Sequence, residues 1–167
     1  MACIRKRAPK ASSAAVRRVM LENVGRETHP EKVLRSALFR AGLRFRKNYS
    51  PLPAQRITVD IAFPRHRFCV FVDGCFWHGC PLHFCVPKSH SAWWREKIDD
   101  NRQRDLRQTR LLKRRGWSVL RIWEHDTEGR PVSAAVRLIK KAVQQGPSGL
   151  RSIGRQPVRS QCDTPRK

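Results

Sequence analysis

Four of the six cysteines in this 167-residue chain, Cys69, Cys75, Cys80 and Cys85, lie within 17 positions, interleaved with His78 and His83. This local cluster constrains the fold more than any hydrophobic period does. Disulfide scaffolds spread cysteines along a short secreted chain, whereas sulfur and imidazole donors gathered in one loop suit a tetrahedral metal. Cys75, Cys80 and His83 offer three donors, and the fourth place is open to His125, Cys85 or His90. The competing expectation is that some of these thiols are simply buried. Either way the segment has to fold into a compact loop.

The second constraint is charge. Thirty-six Lys and Arg against 13 Asp and Glu leave a formal charge of +23. Such a chain repels itself and attracts polyanions, of which nucleic acid is the commonest soluble one. An acidic membrane is a poorer partner, because no long stretch sets a clean apolar face against a basic one. No apolar run approaches the roughly 18 residues of a membrane span, and no signal-sequence pattern is visible. The expectation is a cytoplasmic, nucleoid-associated protein with no membrane attachment. Residues 1–25 read as a basic arm with one amphipathic helix near 12–24, residues 26–145 as one domain, and 146–167 as a basic, disordered tail.

Local patterns order the central domain. Thr28 and Glu31 have capping-box spacing around Pro30, and Val33, Leu34, Ala37, Leu38 and Ala41 recur at helical spacing until Gly42. Ile57–Phe63 and Phe68–Val72 read as strands of one hairpin. Ser91–Gly116 is a long helix capped by Ser91, Trp117–Trp123 a third strand, and Val132–Val143 a last amphipathic helix. This order, α-β-β-loop-α-β-α, predicts an α/β domain with a small mixed sheet flanked by helices.

Acids are scarce enough for each to be informative. A turn centred between Arg65 and His66 puts Asp60 opposite Phe71 and Asp73 opposite Thr58, so both carboxylates share a sheet face. Two carboxylates there make a hard-oxygen site suited to Mg²⁺; the plainer alternative is a strand-end acid and a turn residue. His78, beside the cysteines and close after Asp73, could be a metal ligand or a general base.

Phe76 and Trp77 are consecutive aromatics in a Gly-flanked loop, placed either to build a core or to wedge between DNA base steps. On the long helix, Trp94, Lys97, Asn101 and Asp105 are spaced by three, four and four and form one stripe, an odd lining for a core and a sensible one for a groove. Lys and Asn are typical readers of base edges. Ile98, Leu106 and Leu112 lie nearer the opposite face and are expected to be buried. Arg102, Arg104, Arg107, Arg110, Lys113, Arg114 and Arg115 supply phosphate contacts or a solvated face.

The run Phe71-Val72-Asp73-Gly74-Cys75-Phe76-Trp77-His78-Gly79-Cys80-Pro81, followed by Trp94, Lys97, Asn101, Arg104-Asp105, Gly116-Trp117 and Trp123-Glu124-His125, resembles the very short patch repair (Vsr-type) endonucleases. The resemblance covers about 19–130. It implies a restriction-endonuclease-like fold with a structural zinc, and makes 26–145 an endonuclease domain. It also implies a Mg²⁺-dependent, strand-specific nick 5′ to the thymine of a T·G mismatch, the lesion left by deaminated 5-methylcytosine. Carried onto this chain, Asp60 and the main-chain carbonyl of Val72 would bind the catalytic Mg²⁺. His78 would be the general base, Glu31 would approach the metal through water, and Asp105 would orient basic groups. Phe76, Trp77 and Trp94 would intercalate, Lys97 and Asn101 would contact bases, and Cys75, Cys80, His83 and His125 would hold the zinc.

Three departures stand out. Asp73 is followed by Gly74-Cys75 and not by the x-Lys of restriction-type nucleases. Val72-Asp73 replaces the Thr-His of some relatives, and no Pro-Asp dipeptide precedes the hairpin. Double-stranded DNA with a T·G mismatch is the expected partner of a monomer, with mismatch-repair accessory proteins as further candidates. The rival reading, from another class, is a non-catalytic zinc-containing DNA-binding module. It accounts for charge, cysteines and aromatics but leaves Asp60, Asp73 and His78 without a task.

Overall fold

A computed structural model describes residues 27–145, together with Ala14 and Arg18; the expected helix near 12–24 otherwise lies outside the described residues, as does the tail 146–167. The elements are α1 (His29–Arg40), β1 (Arg46–Tyr49), β2 (Val59–Phe63), β3 (Phe68–Asp73), α2 (Ser91–Arg114), β4 (Ser118–Trp123) and α3 (Pro131–Gln145). The four strands form one mixed sheet in the order β1-β2-β3-β4. The first two pairings are antiparallel, and β3 pairs parallel to β4 through the crossover that contains α2. The β2–β3 hairpin has the register expected from its turn, with Ile61 opposite Val70 and Phe63 opposite Phe68. Arg67, in the left-handed region at φ 45°, closes that turn after a short 3-10 segment, Pro64–His66.

The sheet alternates its side chains between two cores. On one face Ile61, Phe63, Phe68, Val70, Leu120 and Ile122 pack against Leu34 and Leu38 of α1 and Ala135, Ile139, Ala142 and Val143 of α3. On the other, Ala62, Cys69 and Phe71 pack with Leu112 of α2 and with Trp117, which sits just ahead of β4. Asp60, Asp73 and Arg121 keep step with this second set, so the sheet presents them on the α2 side, near the carboxyl ends of the parallel strands. Open α/β sheets bind ligands at such ends.

Several local expectations need correction. The four-residue strand β1, Arg46-Lys47-Asn48-Tyr49, carries no apolar alternation and was not expected. Helix α2 is preceded by His90 in the left-handed conformation with no side-chain cap bond, so Ser91 is its first helical residue and not its cap. Leu106 is 46 % exposed, because the outer side of α2 at that turn has no sheet beneath it. Trp117 precedes the third strand, and the last helix begins one residue early, at Pro131.

Candidate functional site

The acidic centre starts where the hairpin ladder stops. The last β2–β3 pair is Ile61 with Val70, and beyond it the N–H of Val72 donates to Asp60 Oδ2 at 2.7 Å. That bond holds one carboxylate oxygen against β3 and leaves the other facing a groove of about 990 Å³. Burial pushes the Asp60 carboxyl up to about 6; the negative charges of Glu31 and Asp73 add to this, while the Val72 N–H and Arg121 oppose it. An acid held up by burial and by two more carboxylates gains most from a bound cation, and oxygen donors suit a hard one. Asp60, with Glu31 and Asp73 lining the same groove, offers oxygen donors suited to a divalent ion, although neither cluster of three or more close ligand residues among the described residues includes it.

Glu31 reaches this groove from the start of α1, 4 % exposed. Its Oε1 accepts from the Thr28 hydroxyl at 2.8 Å and from the Thr28 N–H at 3.4 Å, so the capping-box role is present as well. Glu27, at φ 58°, ties this turn to β1 by accepting from Arg35 Nη2 at 2.8 Å and Asn48 Nδ2 at 3.0 Å.

Opposite Asp60, α2 and β3 bring together a second group. His78 Nδ1 lies 2.6 Å from Asp105 Oδ2 and 3.7 Å from Asp73 Oδ1. A carboxylate only accepts, so Nδ1 carries the proton of that bond and Nε2 is left as the lone-pair nitrogen of the neutral ring. Burial alone would raise Asp105, but the His78 hydrogen bond and the positive charges of Arg121 and Arg104 hold it below the usual carboxylate range.

The cysteine cluster lies at the same strand ends. Cys75, Cys80, His83 and His125 offer ligand atoms all within 4.8 Å of one another. Cys75 Sγ is 3.5 Å from His83 Nδ1 and 3.0 Å from His125 Nδ1, and Cys80 Sγ is 3.8 Å from each. A tetrahedral zinc site with ordinary Zn–S and Zn–N bonds has S···N edges of about 3.6 Å. The donor set fits that ion, with one edge short. Burial pushes the Cys75 thiol up to about 12, so a bound cation is what would ionise it. The alternatives Cys85 and His90 are not in the cluster, and Cys85 is exposed.

Between the two centres the chain from Gly74 to Cys80 is tightly tied. Cys75 N–H donates to Glu124 Oε1 at 2.7 Å, and Arg102 Nη2 donates to Gly79 O at 2.7 Å. Gly79 has φ +63°, and a Cβ there would meet Ile98 Cγ2 at 2.7 Å, so only glycine fits this close approach to α2. Phe76 and Trp77 are half-buried and stack edge to face at 5.3 Å; Trp94 meets them at 5.0 and 5.9 Å. Phe76 and Trp77 form an aromatic prow backed by Trp94 of α2, which at 6 % exposed is buried beneath them and does not itself face outward as expected of an intercalator. Lys97, half-buried, lines the groove. Asn101 lines it too, yet is 7 % exposed and donates from Nδ2 to Trp77 O at 2.8 Å, so it also fastens the aromatic loop.

With this geometry in place, the comparisons with known proteins are decisive. A family model, "DNA mismatch endonuclease Vsr", matches residues 10–84. The type II nicking enzyme V.NaeI of Lentzea aerocolonigenes is 39 % identical over 130 residues, covering 77 % of this chain and 78 % of that protein. V.HpaIIP of Haemophilus parainfluenzae is 34 % identical over 143 residues, covering 84 % and 92 %. The DNA mismatch endonuclease Vsr of Escherichia coli strain K12 is 40 % identical over 107 residues, covering 63 % and 66 %. The chain belongs to the Vsr family. As a Vsr-family protein it is a DNA endonuclease, a hydrolase that acts on DNA. Among its described residues no helix is long and apolar enough to cross a membrane.

Sequence reasoning missed three groups that shape this Vsr-family site. Arg121, from β4, grips Asp73 through Nε (2.7 Å) and Nη2 (2.5 Å) and reaches Asp105 Oδ1 at 3.1 Å. Glu124 and Arg102 tie the cysteine loop to the frame. Nothing in the one-dimensional pattern separates Arg121 from 35 other basic residues, and Arg102 drew notice only as one of the basic run on the long helix, not as a tie to the loop. Glu124 carried a signal, as one of only 13 acids and the neighbour of His125.

Proposed function

We propose that this protein nicks duplex DNA 5′ to the thymine of a T·G mismatch, on that strand only, using a divalent cation at Asp60. The observation that carries the reading is the facing pair of centres in one groove: Asp60, bonded by the Val72 N–H, and His78, bonded through Nδ1 to Asp105. A non-catalytic module has no use for a buried acid beside an oriented imidazole.

Mg²⁺ held by Asp60 and the Val72 carbonyl would supply charge stabilisation to the scissile phosphate. His78 accepts at Nε2 the proton of the water that attacks phosphorus, while Asp105 keeps Nδ1 occupied. Glu31, which lines the same groove, would approach that cation through water. Phe76 and Trp77, backed by the buried Trp94, enter the base stack beside the mismatch, where unstacking costs least, which itself selects the lesion. Lys97 and Asn101 contact the bases there. Cys75, Cys80, His83 and His125 would hold zinc with all four protein donors, an ion that would fix the loop and supply no chemistry. The proposal extends to a restriction-endonuclease-like core over 26–145 and basic segments on either side that track phosphates. It also extends to a monomer working in the cytoplasm on nucleoid DNA, with mismatch-repair proteins as candidate accessories.

Asp60→Asn keeps the shape of the side chain and an acceptor for the Val72 N–H. The expected result is a variant that binds a T·G duplex as tightly as the wild type and does not nick it. Nicking by Asp60→Asn at the wild-type rate would overturn the reading.

A further inference from the structure

The reaction as proposed gives no task to Asp73 or Arg121, although the fold invests heavily in both. Phe71 pairs with Arg121 across the parallel β3–β4 register, and the Arg121 guanidinium lies over the Phe71 ring at 4.5 Å. Its side chain is 11 % exposed and Asp73 is 2 % exposed. Nε and Nη2 are spent on Asp73 and Asp105, and Nη1 is buried with no hydrogen-bond partner among the described residues. A buried ion pair with an orphan donor is a poor source of stability, since apolar side chains of similar volume do as well or better. What the pair does supply is fixed geometry.

We propose that Arg121 is a positioning residue for strand cleavage. Anchored by Asp73, it fixes Asp105, and through Asp105 it holds the His78 ring with Nε2 free for the groove. The inference rests on the reading of His78 as the proton acceptor.

The chain of contacts is continuous. Nη2 bridges Asp73 Oδ1 and Asp105 Oδ1, which leaves Asp105 Oδ2 for His78 Nδ1 at 2.6 Å. With Oδ1 pinned, the carboxylate plane of Asp105 cannot turn, so the imidazole has one low-energy orientation. The guanidinium charge also keeps Asp105 ionised, an acceptor only, and this selects the Nδ1–H tautomer. A lysine at 121 would keep the charge and lose the planar fork that spans two carboxylates. Asp73, His78 and Asp105 have donor atoms close enough to collect a metal ion, but Arg121 already bridges both acids. The cation of this cluster belongs to the protein itself. Asp73 thereby gains a role as the anchor of Arg121.

The test uses the full-length, zinc-loaded chain and a labelled duplex that the wild type nicks. Single-turnover rates at saturating enzyme are compared for Arg121→Gln, Arg121→Lys, Asp105→Asn and the Arg121→Gln/Asp105→Asn pair, alongside duplex affinity, zinc content and melting temperature. Arg121→Gln is expected to lose about 10- to 100-fold in nicking rate, the usual range for a group that orients a ligand or base, while affinity and zinc stay at wild-type levels. Arg121→Lys should recover part of that loss. In the Asp105→Asn background Arg121→Gln should add nothing, because the two act as one unit.

Should Arg121→Gln fail to fold, Asp73→Asn/Arg121→Met removes the buried pair without leaving a lone charge, and the same loss is expected. A wild-type rate from either Arg121 variant, or losses that multiply fully with Asp105→Asn, would overturn the proposal. His78→Ala separates it from the reading beneath. An active His78→Ala removes both, whereas an inactive His78→Ala with an active Arg121→Gln removes only the role of Arg121.

Discussion

Asp60 shows how much one side chain carries. Its carboxyl sits near 6 in the fold against an ordinary value of 3.8, so the folded chain holds that proton more tightly than the unfolded chain does. The stabilisation this protonated group contributes is full below about pH 4 and is lost as the pH rises through about 6. Without a divalent cation, the wild type should therefore lose stability across that window, and Asp60→Asn, which cannot ionise, should melt several degrees higher above it. Adding Mg²⁺ at neutral pH should raise the melting temperature of the wild type and leave Asp60→Asn unmoved. Superimposable melting curves for the two proteins, with and without Mg²⁺, would contradict this account. At this scale the sequence was informative where residue types were scarce. Asp60, Asp105 and His78 stood out in a chain of net charge +23, and both strand acids line one groove, although the hairpin ladder ends at Ile61–Val70, short of the pairings expected for them. Arg121 did not stand out, because its importance arises only when the parallel pairing sets it beside Phe71.

Among the elements, the cysteine loop and α2 work as one piece. Arg102 and Asn101 hold the loop's carbonyls at Gly79 and Trp77, and the four donors close its far end. Cys80 is 1 % exposed, so Cys80→Ser leaves a hydroxyl where the ion needs a thiolate. The expected outcome is loss of zinc by elemental analysis and a lower melting temperature, because metal binding energy is folding energy. Full zinc and unchanged melting in Cys80→Ser would mean the ligand set is wrong. The strong helices and the hairpin were legible from their periods and caps. β1 was not, since Arg46-Lys47-Asn48-Tyr49 is an edge strand held by backbone pairing to β2 and has only a weak apolar signal. Leu106 misled because helical spacing marks a face, and only the packing decides where along α2 that face is covered. The parallel β3–β4 pairing cannot be read from either strand alone; it follows from α2 crossing over the sheet between them.

For the whole molecule the dominant quantity is charge, which at +23 sets affinity for DNA more than any single contact does. If about eight phosphates are neutralised, the slope of log K against log salt should be roughly −7 for a duplex with or without the mismatch. A slope near zero would remove the phosphate contacts as the source of affinity. In the proposed reading selectivity comes from the aromatic prow and the groove behind it, where Phe76 and Trp77, backed by Trp94, stand next to Lys97, Asn101 and the acidic centre. This division, with charge for affinity and the wedge with its acid–imidazole groove for choice and chemistry, is the central claim. The direct test is strand-resolved nicking of a labelled duplex with a single T·G mismatch, in Mg²⁺ and in chelator, beside a T·A duplex of the same sequence. The expected result is one cut, 5′ to the mismatched thymine, on that strand alone, only with Mg²⁺ and only in the mismatched duplex. Equal cutting of the T·A duplex, cutting of both strands, or cutting in chelator would contradict it.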